Sequence, residues 1–144
     1  MVPVHYGILG TTTAHHDDGT PVPLGGARLR ALLAALVLRH GRAVPAEALV
    51  AEVWAGELPQ DAGAALQTLV GRLRRTIGRA EVESGPGGYW LTSRQSDLAR
   101  FQELAEQGRR ALTAGDAAAA AAQLGEALAL WRGPALADLP DRAG

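Results

Sequence analysis

Residues 58–78, LPQDAGAALQTLVGRLRRTIG, write two unlike surfaces onto one helix, so one side has to be buried and the other exposed. At about 100° per residue, Leu66, Leu69, Val70, Leu73 and Ile77 fall in a single apolar sector, while Ala64, Thr68, Gly71, Arg72 and Arg75 gather opposite. The apolar sector needs a core, and the arginine-bearing sector faces outward. On an isolated helix a basic outward face is usually just solvated. Its meaning here depends on what flanks it.

Net charge is −1, so no global field draws nucleic acid and any basic footprint has to be local. Residues 61–80 hold four arginines against the single acid Asp61, whereas residues 97–144 hold five arginines against seven acids. There is no cysteine, which excludes a disulfide framework and a thiolate zinc site and fits a reducing cytoplasm. The longest nearly uninterrupted apolar run, residues 31–38, is far short of the roughly 20 residues that span a bilayer. The start lacks the cationic and apolar stretches of a secretory signal. A soluble cytoplasmic protein without membrane association is expected.

Residues 4–9 read as a strand, and Asp17-Asp18-Gly19 reads as the turn of a hairpin between residues 11–16 and 20–24. After Gly25-Gly26, Leu29, Leu32, Leu33, Leu36 and Val37 recur at helical spacing until Gly41, predicting a first helix buried along one stripe. A second helix runs from about residue 45 to 54, with Pro45 tolerated in the first turn, Glu47 favourable near the positive end of the dipole, and Leu49 and Val53 inward. Asp61 caps the arginine-bearing helix and Gly78 ends it. A strand near residues 81–83, the tight run 84–88 and a strand over 89–92 form a hairpin. From residue 97 the composition turns to alanine, glutamine and leucine. Leu98, Phe101, Leu104, Ala105 and Leu112 make one stripe, Gly115-Asp116 breaks the helix, and Ala120, Leu124, Ala127, Leu128 and Trp131 make another. The predicted fold is α+β. A winged helix-turn-helix, with an N-terminal antiparallel sheet, three helices and a wing hairpin, occupies residues 1–94. A helical hairpin like one tetratricopeptide unit occupies 95–144.

The runs Tyr6-Gly7-Ile8-Leu9-Gly10, Leu24-Gly25-Gly26-Ala27-Arg28-Leu29-Arg30-Ala31-Leu32-Leu33, Leu49 through Val53-Trp54, Leu66-Gln67, Arg72-Leu73-Arg74-Arg75, Gly88-Tyr89 and Leu130-Trp131-Arg132-Gly133-Pro134-Ala135-Leu136 resemble, in order and spacing, the N-terminal half of the actinobacterial antibiotic-regulatory activators. In that family an OmpR-type winged-helix DNA-binding domain precedes a bacterial transcriptional activation domain of helical repeats, of which 95–144 would be a part. The resemblance implies a cytoplasmic, nucleoid-associated transcription factor that binds direct repeats in promoter DNA, paired with a second protomer, and recruits RNA polymerase to a biosynthetic gene cluster. It also implies that the segment Gly56, Glu57, Leu58, Pro59 and Gln60 touches polymerase. Three departures stand out: Ala64-Ala65 replaces the usual Asn-Thr, Gly71 stands where serine or arginine is common, and the wing tip Ser84-Gly85-Pro86-Gly87-Gly88 carries no arginine. They favour an alternative reading as a protein-interaction module without specific DNA binding.

On the DNA reading, Arg72 and Arg75 lie outward, where a guanidinium reaches guanine or phosphate. Arg74 and Gln67, about 80° and 100° from Leu66, suit phosphate contact better than base reading. Thr68 and Gly71 complete the face, Arg28 is a further phosphate candidate, and Tyr89 packs under the wing with its hydroxyl toward a phosphate. Trp54 and Trp90 read as packing residues. His15-His16-Asp17-Asp18 offers metal-ligand chemistry, but neighbouring strand residues point to opposite faces, so no metal site is expected. No nucleophile, base and orienter fall at a motif's spacing, no glycine-rich phosphate loop opens a helix, and neither catalysis nor a cofactor is expected.

Overall fold

The computed structural model describes residues 4–93 and 95–136. Strands β1 (Val4–Gly7) and β2 (Thr13–His16) pair antiparallel, with Val4 opposite His16 and His5 opposite His15. The Thr20 hydroxyl and amide hydrogen-bond the carboxyl of Asp18 in the turn and hold it below the usual carboxylate range. Beyond that turn the expected return strand over 20–24 shrinks to one bridge, His15 with Pro21, and two backbone hydrogen bonds, from the Val22 amide to the Ala14 carbonyl at 2.8 Å and from the His16 amide to the Thr20 carbonyl at 2.9 Å. Pro21 and Pro23 lack the N–H that a longer ladder would need.

Helix α1 (Ala27–Leu38) is buried almost all round: Leu29 and every residue from Ala31 to Val37 are inaccessible. The expected single stripe therefore understates it. The reason is position, since α2 (Ala46–Trp54), α3 (Ala62–Ile77) and β4 (Gly88–Leu91) all pack on α1. A helix enclosed on several sides has no solvent face to keep polar. Asp61 caps α3 by accepting the Ala64 amide at 3.1 Å, and Gly78, at φ 117°, closes it.

A 3₁₀ turn, Arg79–Glu81, leads into β3 (Val82–Gly85), which pairs with β4 across the two-residue connection Pro86-Gly87. Val44, between α1 and α2, exchanges both backbone hydrogen bonds with Tyr89 at 2.8 and 3.0 Å, fixing the start of β4 next to the hairpin's turn. Gly88 is obligatory there: its φ is +121°, and a Cβ would lie 1.9 Å from the Val44 carbonyl oxygen. At the foot of β3 the buried Glu81 accepts a 2.6 Å hydrogen bond from the Tyr6 hydroxyl. Burial, with the Glu81 carboxylate second, pushes the Tyr6 phenol far above its ordinary range.

Helices α4 (Asp97–Thr113) and α5 (Ala117–Ala129) form an antiparallel hairpin. Ser96 and Asp116 cap them by accepting the amides of Ala99 and Ala119, each at 3.0 Å. The seam closes on Leu104, Ala120 and Ala127, and on Gly108, where any Cβ would sit 2.7 Å from the Leu124 side chain. Three residues expected in the apolar stripes are exposed, Leu112 at 56%, Leu128 at 67% and Trp131, whose ring meets Phe101 edge-on, at 40%. The glycine at 108 lets the helices approach around narrow residues, leaving these leucines beyond the seam.

The hairpin is docked on the N-terminal sheet through backbone groups. Tyr6 donates to the Gln95 carbonyl at 2.9 Å, and Asp97 accepts the Ile8 and Leu9 amides at 2.8 and 2.9 Å. After α5 the chain returns, with Arg132 and Leu136 donating to the Leu9 and Ile8 carbonyls at 2.8 and 2.9 Å. One strand, β1, is thus held by both the winged unit and the helical hairpin.

Candidate nucleic-acid interface

The two faces of α3 separate as the sequence spacing requires. Leu66, Leu69, Val70, Leu73 and Ile77 are buried against α1 and α2, and Gln67, Thr68, Arg72 and Arg75 are exposed. Asp61, the only acid in the segment, already has an oxygen engaged as the helix cap, so the outer face carries positive charge largely unopposed from within its own helix.

The arginines differ in what holds them. Arg72 donates from Nη2 to the Gly25 carbonyl at 3.0 Å, and its guanidinium lies beside Gly25 and Gly26, where a Cβ would stand 3.6 and 3.8 Å away. Among the described residues the Arg75 side chain takes part in no hydrogen bond or ion pair. Its Nη1 lies 3.6 Å from where a Gly71 Cβ would be, so the missing side chain leaves room for the guanidinium along the helix. Arg74 is turned toward the hairpin: Nε donates to the Val82 carbonyl at 3.1 Å and Nη2 to the Ser84 hydroxyl at 3.4 Å. Arg28 is exposed with its guanidinium 5.7 Å from the centre of the Trp54 ring.

Tyr89 is half-buried near the hairpin's turn, opposite Ser84, and Trp90 lies over Gly85, the nearest ring carbon 3.1 Å from a Cβ position there. Trp54 is buried in the core. Between α2 and α3, Ala55 and Gly56 adopt left-handed backbone at φ 48° and 95°, and the loop that follows presents Leu58 at 63% exposure together with Glu57 and Gln60, while Pro59 is half-buried. Among the described residues no three His, Asp or Glu side chains are placed to hold a metal, and no helix is long and apolar enough to cross a membrane.

Sequence reasoning missed the Gly25 carbonyl as the partner of Arg72 and Val82 as that of Arg74. The paired glycines at 25–26 are the one local signal for the first, since glycine marks close approach of other groups to backbone. The Tyr6 to Glu81 contact, 75 residues apart in sequence, has no local signal.

A family model described as the C-terminal domain of transcriptional regulatory proteins matches residues 19–86, and one described as the bacterial transcriptional activator domain matches residues 96–144. The chain is 40% identical over 140 residues to the regulatory protein AfsR of Streptomyces coelicolor, covering 95% of this chain and 14% of that protein. It is 36% identical over 145 residues to the regulatory protein DnrI of Streptomyces peucetius, covering 92% of this chain and 53% of that one. Against the transcriptional regulatory protein EmbR of Mycobacterium tuberculosis it is 38% identical over 132 residues, 86% of this chain and 34% of EmbR. A solved structure of EmbR in complex with a low-affinity phosphopeptide superposes with a TM-score of 0.88 at 35% identity, covering 96% of this chain and 38% of that one. This chain spans at most about half the length of these relatives.

Proposed function

The chain belongs to the antibiotic-regulatory family of bacterial transcriptional activators, and from that premise we propose that it binds promoter DNA sequence-specifically and activates a biosynthetic gene cluster. In this reading α3 enters the major groove. Arg75, whose side chain is unpaired among the described residues, reads a guanine edge. Arg72 contacts the groove from a fixed position, while Gln67 and Thr68 meet the neighbouring backbone and bases. Gly71 serves by omission, clearing space for Arg75. Arg28 and the Tyr89 hydroxyl supply flanking phosphate contacts, and the exposed loop at Leu58 faces RNA polymerase. Two copies sit on a direct repeat, each with residues 1–94 on DNA and residues 95–144 against a neighbour or the polymerase, in the cytoplasm at the nucleoid.

The observation that carries this reading is the exposed Arg72 and Arg75 face of α3 beside a hairpin that Val44 holds at Tyr89, next to its turn. The test is selection of bound duplexes from a randomised DNA pool by the purified chain. Enrichment of one motif, in direct repeat, is expected; recovery of unenriched DNA would refute specific binding. A second reading, a protein-interaction module on the same fold, is favoured by one feature: the hairpin tip 84–88 carries no cation, so the minor groove beside α3 would go uncontacted. That reading predicts no enrichment.

A further inference from the structure

Where the helical hairpin docks on the N-terminal sheet there is an open cleft of about 650 Å³, a volume ordinary for a small-molecule site. One wall is the outer face of the sheet. His5 and His15 are register partners across β1 and β2, so their imidazoles leave the same face, opposite the buried Tyr6 and Ala14. The other wall carries Asp97, Arg100 and Glu103 from α4 and Arg132 just after α5, with Ala99, Ala129 and Leu130 as its apolar part.

Charge in the cleft is balanced, but hydrogen-bonding capacity is not. The Asp97 oxygens already accept the Ile8 and Leu9 amides and Arg132. Glu103 Oε1 takes Gln107 and Arg100, Glu126 takes Arg100 at 3.3 Å, and Asp17 takes His5 at 2.9 Å. Each guanidinium carries five N–H donors. Among the described residues the bonds to Arg100 and Arg132 engage only their Nη1 and Nη2 groups, leaving the Nε–H of each without a partner. Among the described residues the His15 ring has no hydrogen bond, and every imidazole donates at least one N–H in either protonation state. Among the described residues, the ionisable groups that line the cleft thus leave three donor groups without a partner, the Nε–H of Arg100, that of Arg132 and the His15 ring, against one carboxylate oxygen, Oε2 of Glu103, so both walls contribute donors.

We propose that this cleft binds a small molecule with an anionic oxygen group, a phosphate monoester or a carboxylate, whose apolar body rests on Ala129 and Leu130 and which joins the sheet to the hairpin as an effector. The inference is independent of the DNA reading, since neither His5, His15, Arg100 nor Arg132 belongs to the face of α3. Sequence inspection passes over it because the histidine that matters to His15 is not its neighbour His16 but His5, ten residues away and opposite it in the sheet.

The test is an amide and imidazole NMR titration of the full chain with phenyl phosphate, with benzoate, and with inorganic phosphate, paired with thermal melts at matched ionic strength. Saturable shifts at His5, His15 and Arg100 are expected with phenyl phosphate or benzoate, whichever source the site prefers. They should exceed those with inorganic phosphate, and Tm should rise by about 4 °C at ten times Kd. His15→Ala with Arg100→Ala should weaken binding at least about tenfold. His15→Ala alone, which removes a ring with no hydrogen-bond partner among the described residues, serves if the double variant melts early. The proposal is overturned if neither organic probe shifts these signals at tens of millimolar, if shifts fall only around Arg72 and Arg75, or if the variants bind as tightly as the parent. An inorganic phosphate shift as large as the organic ones would reduce the site to unspecific ion pairing and equally overturn it.

Discussion

Arg72 and Arg75 stand three residues apart on one face of α3, yet the side chain of one is tethered to a carbonyl and that of the other is unpaired among the described residues. Arg75→Ala should therefore cost about 1–3 kcal/mol on a selected duplex and less on random DNA, measured by fluorescence anisotropy. Equal loss on both duplexes would move Arg75 to a phosphate role. Arg74 was expected at a phosphate from its angle on the helix, but its guanidinium is bonded to Val82 and Ser84. Arg74→Ala should lower Tm while leaving the salt dependence of DNA binding unchanged; a slope flattened by about one unit would restore the phosphate contact. Tyr6 makes a prediction about pH. Its phenol titrates far above its unfolded value of about 10, so its contribution to stability is complete below pH 10 and is lost as pH rises beyond that. Tyr6→Phe should cost about 1–3 kcal/mol near neutrality, because Glu81 stays buried without its donor, and should remove part of the alkaline fall in stability. Unchanged melting curves at pH 7 and an unchanged alkaline limb would contradict this role.

At the scale of elements, the hairpin beside α3 depends on one glycine. Gly88→Ala drives a Cβ into the Val44 carbonyl at positive φ and should cost about 2 kcal/mol or more in a thermal melt. Gly115→Ala, also at positive φ but with open space around it, should cost less and isolates the steric part. The helices were the most legible part of the chain because their information is local: Asp61 and Gly78 bracket α3, and its buried set is the apolar sector of the wheel. The strands were less so. The return strand after Gly19 failed because Pro21 and Pro23 remove donors, and the enclosure of α1 was hidden because burial on several sides depends on which elements arrive from far along the chain. The candidate site divides the same way. Which side chains point outward was readable from angle alone, whereas the partners of Arg72 and Arg74 sit on other segments that angle does not locate.

At the scale of the molecule, β1 is the shared part. Its inner face carries Tyr6 to the foot of the wing, and its end is clasped by Asp97, Arg132 and Leu136 from the hairpin side. Asp97→Ala leaves the Ile8 and Leu9 amides without acceptors and should cost about 2–3 kcal/mol, with residues 97–132 becoming protease-sensitive before the winged unit melts; intact protein should unfold in one transition. A hairpin that is digested early in the intact protein would show that docking contributes little. The central claim, that the outer face of α3 reads DNA, is tested most directly by the ratio of affinities for the selected duplex and a scrambled one of equal length, at fixed salt, for the parent chain and for Arg75→Ala. The account predicts a parent ratio of at least about 10³ that falls by about tenfold or more in the variant while affinity for the scrambled duplex changes little. A parent ratio near one, or a ratio unmoved by losing Arg75, would contradict it.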